Sequence, residues 1–158
     1  QSTAKTRSPA ERWWVLARAW WDSHGQNFET HRELCADLDH SMSTLLDDLQ
    51  ERGMLERTLV VTLAEFGRTP NINPSLGRDH FARAWSMSLS GCGIKGGTVY
   101  GKTDADGQHV ADGQANAGDV FATIFQALGI DYHKEYHLGS RPIPLVDFGA
   151  KPIKSVLA

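Results

Sequence analysis

The sequence predicts an α/β fold in which helices cover a parallel β-sheet. Two observations carry this reading. A long helical pattern ends near Gly53 and is followed within a few residues by the run TLVVTLA at 58–64. That run is short, β-branched and apolar on both parities, as in a strand buried on both faces of a parallel sheet. Helix, turn and buried strand together make half of a βαβ unit. The polar segment 65–80 comes directly after the strand, where α/β proteins place their sites.

Each element has its own signal. Residues 1–12 are polar and expected to be flexible or extended. Residues 13–21, WWVLARAWW, fit either a buried strand or a short helix, since so short a run has no diagnostic period. The pattern Leu34, Leu38, Met42, Leu45, Leu46, Leu49 predicts a helix from about residue 29 or 31 to 52. Thr30 and Glu33 have capping-box spacing, and Gly53 suits the left-handed residue that ends a helix. Trp85, Met87 and Leu89 alternate with serines, which predicts a half-buried strand. A glycine-rich connection (91–97) leads to a short expected strand at 98–100, then a polar, turn-rich stretch at 102–114. A second helix is predicted from about 117 to 128. Asn116 is its cap, Asp119 lies in its first turn, Val120, Phe121, Ile124, Phe125 and Leu128 form its buried face, and Gly129 is its stop. Pro142 and Pro144 favour extended or turn structure in the tail.

Composition narrows the function. The chain has 158 residues, enough for one domain or one piece of a larger one. Hydrophobic residues are 41% and charged residues 22%, which excludes a disordered or coiled-coil class. Sixteen Lys and Arg against 19 Asp and Glu leave a net charge of −3, the wrong sign for a nucleic-acid binder. No apolar run approaches the ~18 residues of a membrane span. Cys35 and Cys92 form no CxxC, so neither a zinc–thiolate site nor a disulfide framework is expected. The glycines at 91–97 lack the Lys-Ser/Thr of a phosphate-binding loop. Asp104 and Asp106 start like a calcium loop whose later ligands are absent.

The chemistry concentrates in three constellations of acids and histidines. Asp22 and His24 share one side of an extended segment and can meet one ion. Asp79 and His80 are adjacent and diverge, so they face two ions, or one ion and one orienting partner. Glu65 ends the apolar run and suits ligation or proton transfer. Arg68 and Arg78 are candidate anion contacts. Each constellation also has a plain reading as surface residues or structural ion pairs. His31, His40, His109, His133 and His137 are read as surface residues without ligand geometry.

The order of these segments is informative. WDSHGQNF, the stretch from LDHSMSTLL through EFGRTP and GRDH to SGCGIKGG, then GDVFATIFQALGID and GSRPI closely resemble the bacterial family called domain of unknown function 1501. The resemblance covers roughly residues 20–155. That family in turn resembles a branch of the alkaline phosphatase and sulfatase superfamily. The resemblance implies a doubly wound, mostly parallel α/β fold with helices on both faces. It also implies a metal site in which Asp22, His24, Glu65, Asp79 and His80 are ligands. The metal would be zinc, with manganese, iron or calcium as alternatives. Two departures stand out. Phe66 occupies a position where the superfamily places a ligand, and the superfamily nucleophile lies upstream of the segments matched here. The chain therefore resembles the C-terminal portion of a larger domain, completed by an upstream portion or by association with another chain. Export to the bacterial periplasm is likewise an implication of the resemblance.

Two functions follow as expectations. One is a metal-dependent hydrolase of small phosphate or sulfate esters, with Arg68 and Arg78 holding the anion. The other is a non-catalytic α/β binding or structural module that keeps the fold without the reaction.

Overall fold

The computed structural model describes residues 21–158; the expectations for residues 1–12, and for all but Trp21 of the aromatic run 13–21, lie outside the described residues. The chain runs through α1 (Asn27–Glu51), a 3-10 turn (Leu55–Arg57), β1 (Val60–Thr62), β2 (Gly67–Arg68), β3 (His80–Phe81), β4 (Ser88–Ser90), β5 (Lys102–Thr103), β6 (Val110–Asp112), α2 (Ala117–Ala127), β7 (Glu135–Leu138), β8 (Arg141–Pro144) and a closing 3-10 turn (Lys154–Val156).

The doubly wound parallel sheet is overturned. The described strands form four separate two-stranded sheets, β1–β4, β2–β3, β5–β6 and β7–β8, and every pairing is antiparallel. The apolar run at 58–64 explains the difference. Only three of its residues enter a ladder, and their one neighbour is β4, in the register Val60↔Ser90, Val61↔Leu89, Thr62↔Ser88. These residues are half-buried, and Leu63 beyond them is 54% exposed. A run apolar on both parities is compatible with a buried parallel strand, but direction depends on the partner. The alternating segment near residue 88 supplies an antiparallel one. The strand expected at 98–100 joins no ladder, and Val99 is 91% exposed.

The two helices follow local signals more closely. α1 spans 25 residues, roughly 37 Å. It starts earlier than the Thr30–Glu33 box implies: its cap is Gln26, in left-handed geometry and without a side-chain cap bond. Of its apolar stripe, Leu34 and Leu49 are buried, Met42, Leu45 and Leu46 are half-buried, and Leu38 is exposed. The ends of α1 are thus anchored while its middle stands clear. Gly53 has φ +62 and ends it. α2 carries the full capping box: Asp119 N donates to Asn116 Oδ1, and Asn116 N donates to Asp119 Oδ2. Its buried stripe is shifted from the expected face, to Gly118, Ala122, Thr123 and Ile124, with Phe121 exposed. The C-terminal segment causes the shift. Lys151 N donates to Asp119 Oδ1, and Ile153 N donates to Thr123 Oγ1, at 2.9 Å each.

Thr123 is fully buried and also donates to Asp119 O at 2.7 Å. Thr123→Val keeps the shape but removes the acceptor of Ile153 N–H. The expected cost is about 1–3 kcal/mol, read as a lower urea midpoint with an unchanged slope.

Candidate metal centre

Two segments far apart in sequence are sewn together by their backbones. Along one side runs Asp22 to Asn27; along the other runs the loop between β2 and β3. Gln26 N donates to Ser75 O, Asn27 N to Leu76 O, and Arg78 N to Ser23 O, at 2.9–3.1 Å. Gly25 and Leu76 form an antiparallel bridge. The chains approach so closely at Gly77 that a Cβ there would lie 2.1 Å from the His24 carbonyl carbon and oxygen. Only glycine fits such a contact. Gln26 and Leu76 both take positive φ, 49° and 58°, beside this seam.

Asn73 holds the loop in shape. Its Oδ1 accepts from Ser75 N and Gly77 N, and its Nδ2 donates to His24 O and Asp79 Oδ1, all at 2.9–3.0 Å. Arg78 braces the loop from within, donating from Nη1 to the carbonyls of Thr69 and Pro70 at 2.7 and 2.6 Å. Below the seam Ser23 is buried. Its Oγ donates to Asn27 Oδ1 at 2.9 Å and takes a hydrogen bond from His31 Nε2 at 2.8 Å. Asn73, Ser23 and His31 are the residues that sequence reasoning missed. His31 is half-buried, edge-on to Trp21, rather than exposed. Its signal was its position one turn into α1 from Asn27, which required knowing where the helix begins.

The seam and the β2–β3 ladder bring side chains together. Arg68 and His80 are ladder partners. One ligand atom each from Asp22, His24 and His80 converges in a small triangle. His24 Nε2 lies 3.1 Å from Asp22 Oδ1, His80 Nε2 lies 3.0 Å from Asp22 Oδ1, and the two Nε2 atoms are 3.1 Å apart. Behind His24, its Nδ1 donates to Asp79 Oδ1 at 3.0 Å. Arg68 Nη2 pairs with Asp22 Oδ1, and Nη1 lies 3.5 Å from His24 Nε2. The Arg68 side chain is only 20% exposed. Phe66 stacks on His80 with centroids 4.2 Å apart, and the Arg68 guanidinium lies 5.8 Å from the Phe66 centroid. Glu65 is exposed in the bend after β1, and no atom of it joins the converging group.

Proton accounting makes this triangle unusual. A carboxylate only accepts, so Asp79 fixes the proton of neutral His24 on Nδ1 and leaves Nε2 a bare lone pair. If His80 carries its proton on Nε2, that is the single N–H among the three converging atoms. One N–H cannot serve two acceptors linearly, and His24 Nε2 then faces Asp22 Oδ1 lone pair to lone pair. A cation seated above the triangle and touching all three atoms would remove the conflict. Two imidazoles and one carboxylate are a good donor set for a divalent first-row ion, so the residues present fit such an ion. Asp79 has the place of the outer partner that sets ring orientation.

Both carboxyls of the cluster are held in the ionised form by their neighbours. Arg68 first, and then His80, hold the Asp22 carboxyl at about 2. His24 first, and then Asn73, hold the Asp79 carboxyl below its ordinary value. An open cleft adjoins the cluster and shares Phe66 and Arg68 with it; Phe81, Trp85 and Ser86 are among its other lining residues.

Two outcomes are expected. Gly77→Ala drives the loop off the His24 backbone, so it lowers thermal stability and removes the Asp22–His80 proximity, measured by calorimetry and by loss of metal binding. Asp22 gives an acid-sensitive contribution with a definite sign. Its folded value of about 2 lies below the ordinary ~3.9. The stabilisation is therefore complete above about pH 4 and lost as pH falls through about 2. Asp22→Asn should flatten that limb of a pH–stability curve followed by circular dichroism.

Both cysteines are free thiols. Among the described residues no helix is long and apolar enough to cross a membrane. No curated protein and no solved structure matches the chain. The family described as Protein of unknown function (DUF1501) matches over residues 10–157, nearly the whole chain, and the chain belongs to that family.

Proposed function

We propose that this chain carries a single-ion metal site acting on small anionic esters of the phosphate or sulfate class. The observation that carries the reading is the triangle of Asp22, His24 and His80, whose three ligand atoms lie 3.0–3.1 Å from one another. A divalent ion held there supplies Lewis acidity toward an ester oxygen. Asp79 keeps the His24 proton on Nδ1, so that Nε2 is free to donate its lone pair. Arg68 keeps Asp22 ionised and places a cation beside the anion's position. The adjoining cleft, walled by Phe66, Phe81 and Trp85, suits the organic part of the ester. Motif order supports the alkaline phosphatase and sulfatase relationship; the antiparallel topology lends it nothing.

One observation favours the second reading, a binding module without turnover. Both arginines are held within the fold, Arg78 by carbonyls and Arg68 by Asp22. Metal content and turnover separate the two readings. Elemental analysis is expected to give about one divalent ion per chain, lost in Asp22→Ala plus His80→Ala. Asp79→Asn is expected to weaken the ion's affinity ~10–100-fold in calorimetric titration. Chelator-sensitive release of product from a panel of phosphate and sulfate esters establishes the hydrolase. Metal binding with no turnover on the whole panel establishes the binding module, and metal-free protein indifferent to chelators refutes the metal site.

A further inference from the structure

We propose that β7 is a docking edge for a second copy of this chain: two β7 strands pair antiparallel about a two-fold axis at Tyr136 and join their hairpins into one four-stranded sheet.

The β7–β8 hairpin is built as an arm. Gly139, φ +62, opens the two-residue turn Gly139–Ser140, and every residue of β7 and β8 is exposed. Among the described residues the two strands pair only with each other. A lone two-stranded hairpin is marginal in water, and further strands along an apolar face are what stabilise one. Such a face is present. The register Tyr136↔Ile143 and Leu138↔Arg141 puts Tyr136, Leu138 and Ile143 on one side of the arm, where they are 63%, 73% and 43% exposed.

The two edges of the arm differ. Leu145 N donates to Lys134 O at 3.0 Å, which fixes the alternation of the ladder. The backbone groups of Lys134, Tyr136 and Leu138 therefore turn inward to the opposite strand, and those of Glu135 and His137 turn outward. On β8 the outward positions are Pro144 and Pro142, opposite Glu135 and His137. Proline has no N–H, so that edge offers no donor and is closed to a further strand. Glu135 and His137 each present a backbone donor and acceptor, so β7 is the edge of the hairpin that can take one.

The side chains then select the partner and the register. With Tyr136 of one copy opposite Tyr136 of the other, Glu135 of each copy faces His137 of the other, and their outward backbone groups exchange four hydrogen bonds. The carboxylate accepts from an imidazole N–H, an aromatic pair sits on the axis, and Leu138 lies across from the aliphatic stem of Lys134. Sliding the pairing by two residues one way sets Glu135 against Glu135, like charges directly opposite. Sliding it the other way sets His137 against His137 and runs the strand into the turn at Gly139. One self-complementary patch serves both copies, as two-fold symmetry requires.

A contact of so few residues a side falls below the ~800 Å² per partner of a standard interface, so the dimer is expected to form reversibly with concentration. Sedimentation equilibrium of the full chain over a concentration series is expected to show monomer and dimer. His137→Pro removes an outward donor and spares the hairpin's own bonds. It is expected to weaken dimerisation ~10–100-fold with an unchanged far-ultraviolet circular dichroism spectrum. Glu135→Arg is expected to weaken it as well, and adding His137→Glu to the same chain to restore it. In a Cys35→Ser background, Tyr136→Cys is expected to give a disulfide-linked dimer under mild oxidation, because the two positions face each other at bridging distance. Ile143→Cys, one strand further from the axis in each copy, is expected not to. A chain that stays monomeric at every concentration would overturn the proposal and leave the edge to a different segment or partner. A dimer that tolerates His137→Pro, or that cross-links equally at 136 and 143, would place the contact elsewhere and overturn it too.

Discussion

Everything at the candidate centre depends on the backbone seam between residues 23–27 and 75–78. Hydrogen bonds from Gln26, Asn27 and Arg78 fix the relative height of the two segments. Gly77 permits the contact, since any side chain there would meet the His24 carbonyl. Asn73 then ties the loop to both segments with one amide group, its two acceptor and two donor bonds all made. The β2–β3 ladder adds the second constraint by placing Arg68 opposite His80. With two short ladders and one amide, a cluster drawn from exposed residues acquires a defined geometry.

The cluster's electrostatics follow from that geometry. Asp22 sits between a guanidinium and two imidazoles, and His24 sits between Asp22 and Asp79. Asp22 has an opposite charge in Arg68, and Asp79 accepts from His24 and Asn73. Phe66 flanks one side of the cluster, its ring tilted against that of His80 with centroids 4.2 Å apart.

Local features were the ones legible in the sequence. The Asn116–Asp119 box, Gly53 and Gly129 announce helix ends through chemistry confined to a few residues. Asp22, His24 and His80 stood out as donors, and the structure brings them together; Glu65 stood out equally and lies apart. The difference is two residues of chain: β1 ends before Glu65, and the bend after it carries the side chain to solvent. Strand direction was not legible, because residues 58–64 record burial and say nothing of which way a neighbour runs. Asn73 and Ser23 were invisible for another reason. Their roles consist of bonds to backbone atoms brought near by the seam, and no periodicity or spacing encodes those.

His24 and Asp79 are separated by 55 positions along the chain, and His24 and His80 by 56. Bringing them into contact closes a long loop that includes all of α1 and β1, and the entropy of that closure is spent before any ligand set exists. The unfolded chain consequently has no preassembled trap for a cation. Whatever the cluster retains is held by the native state alone and shifts the folding equilibrium toward it by mass action. An ion held as proposed would thereby clasp the stretch from residue 22 to residue 80, which carries α1 and β1.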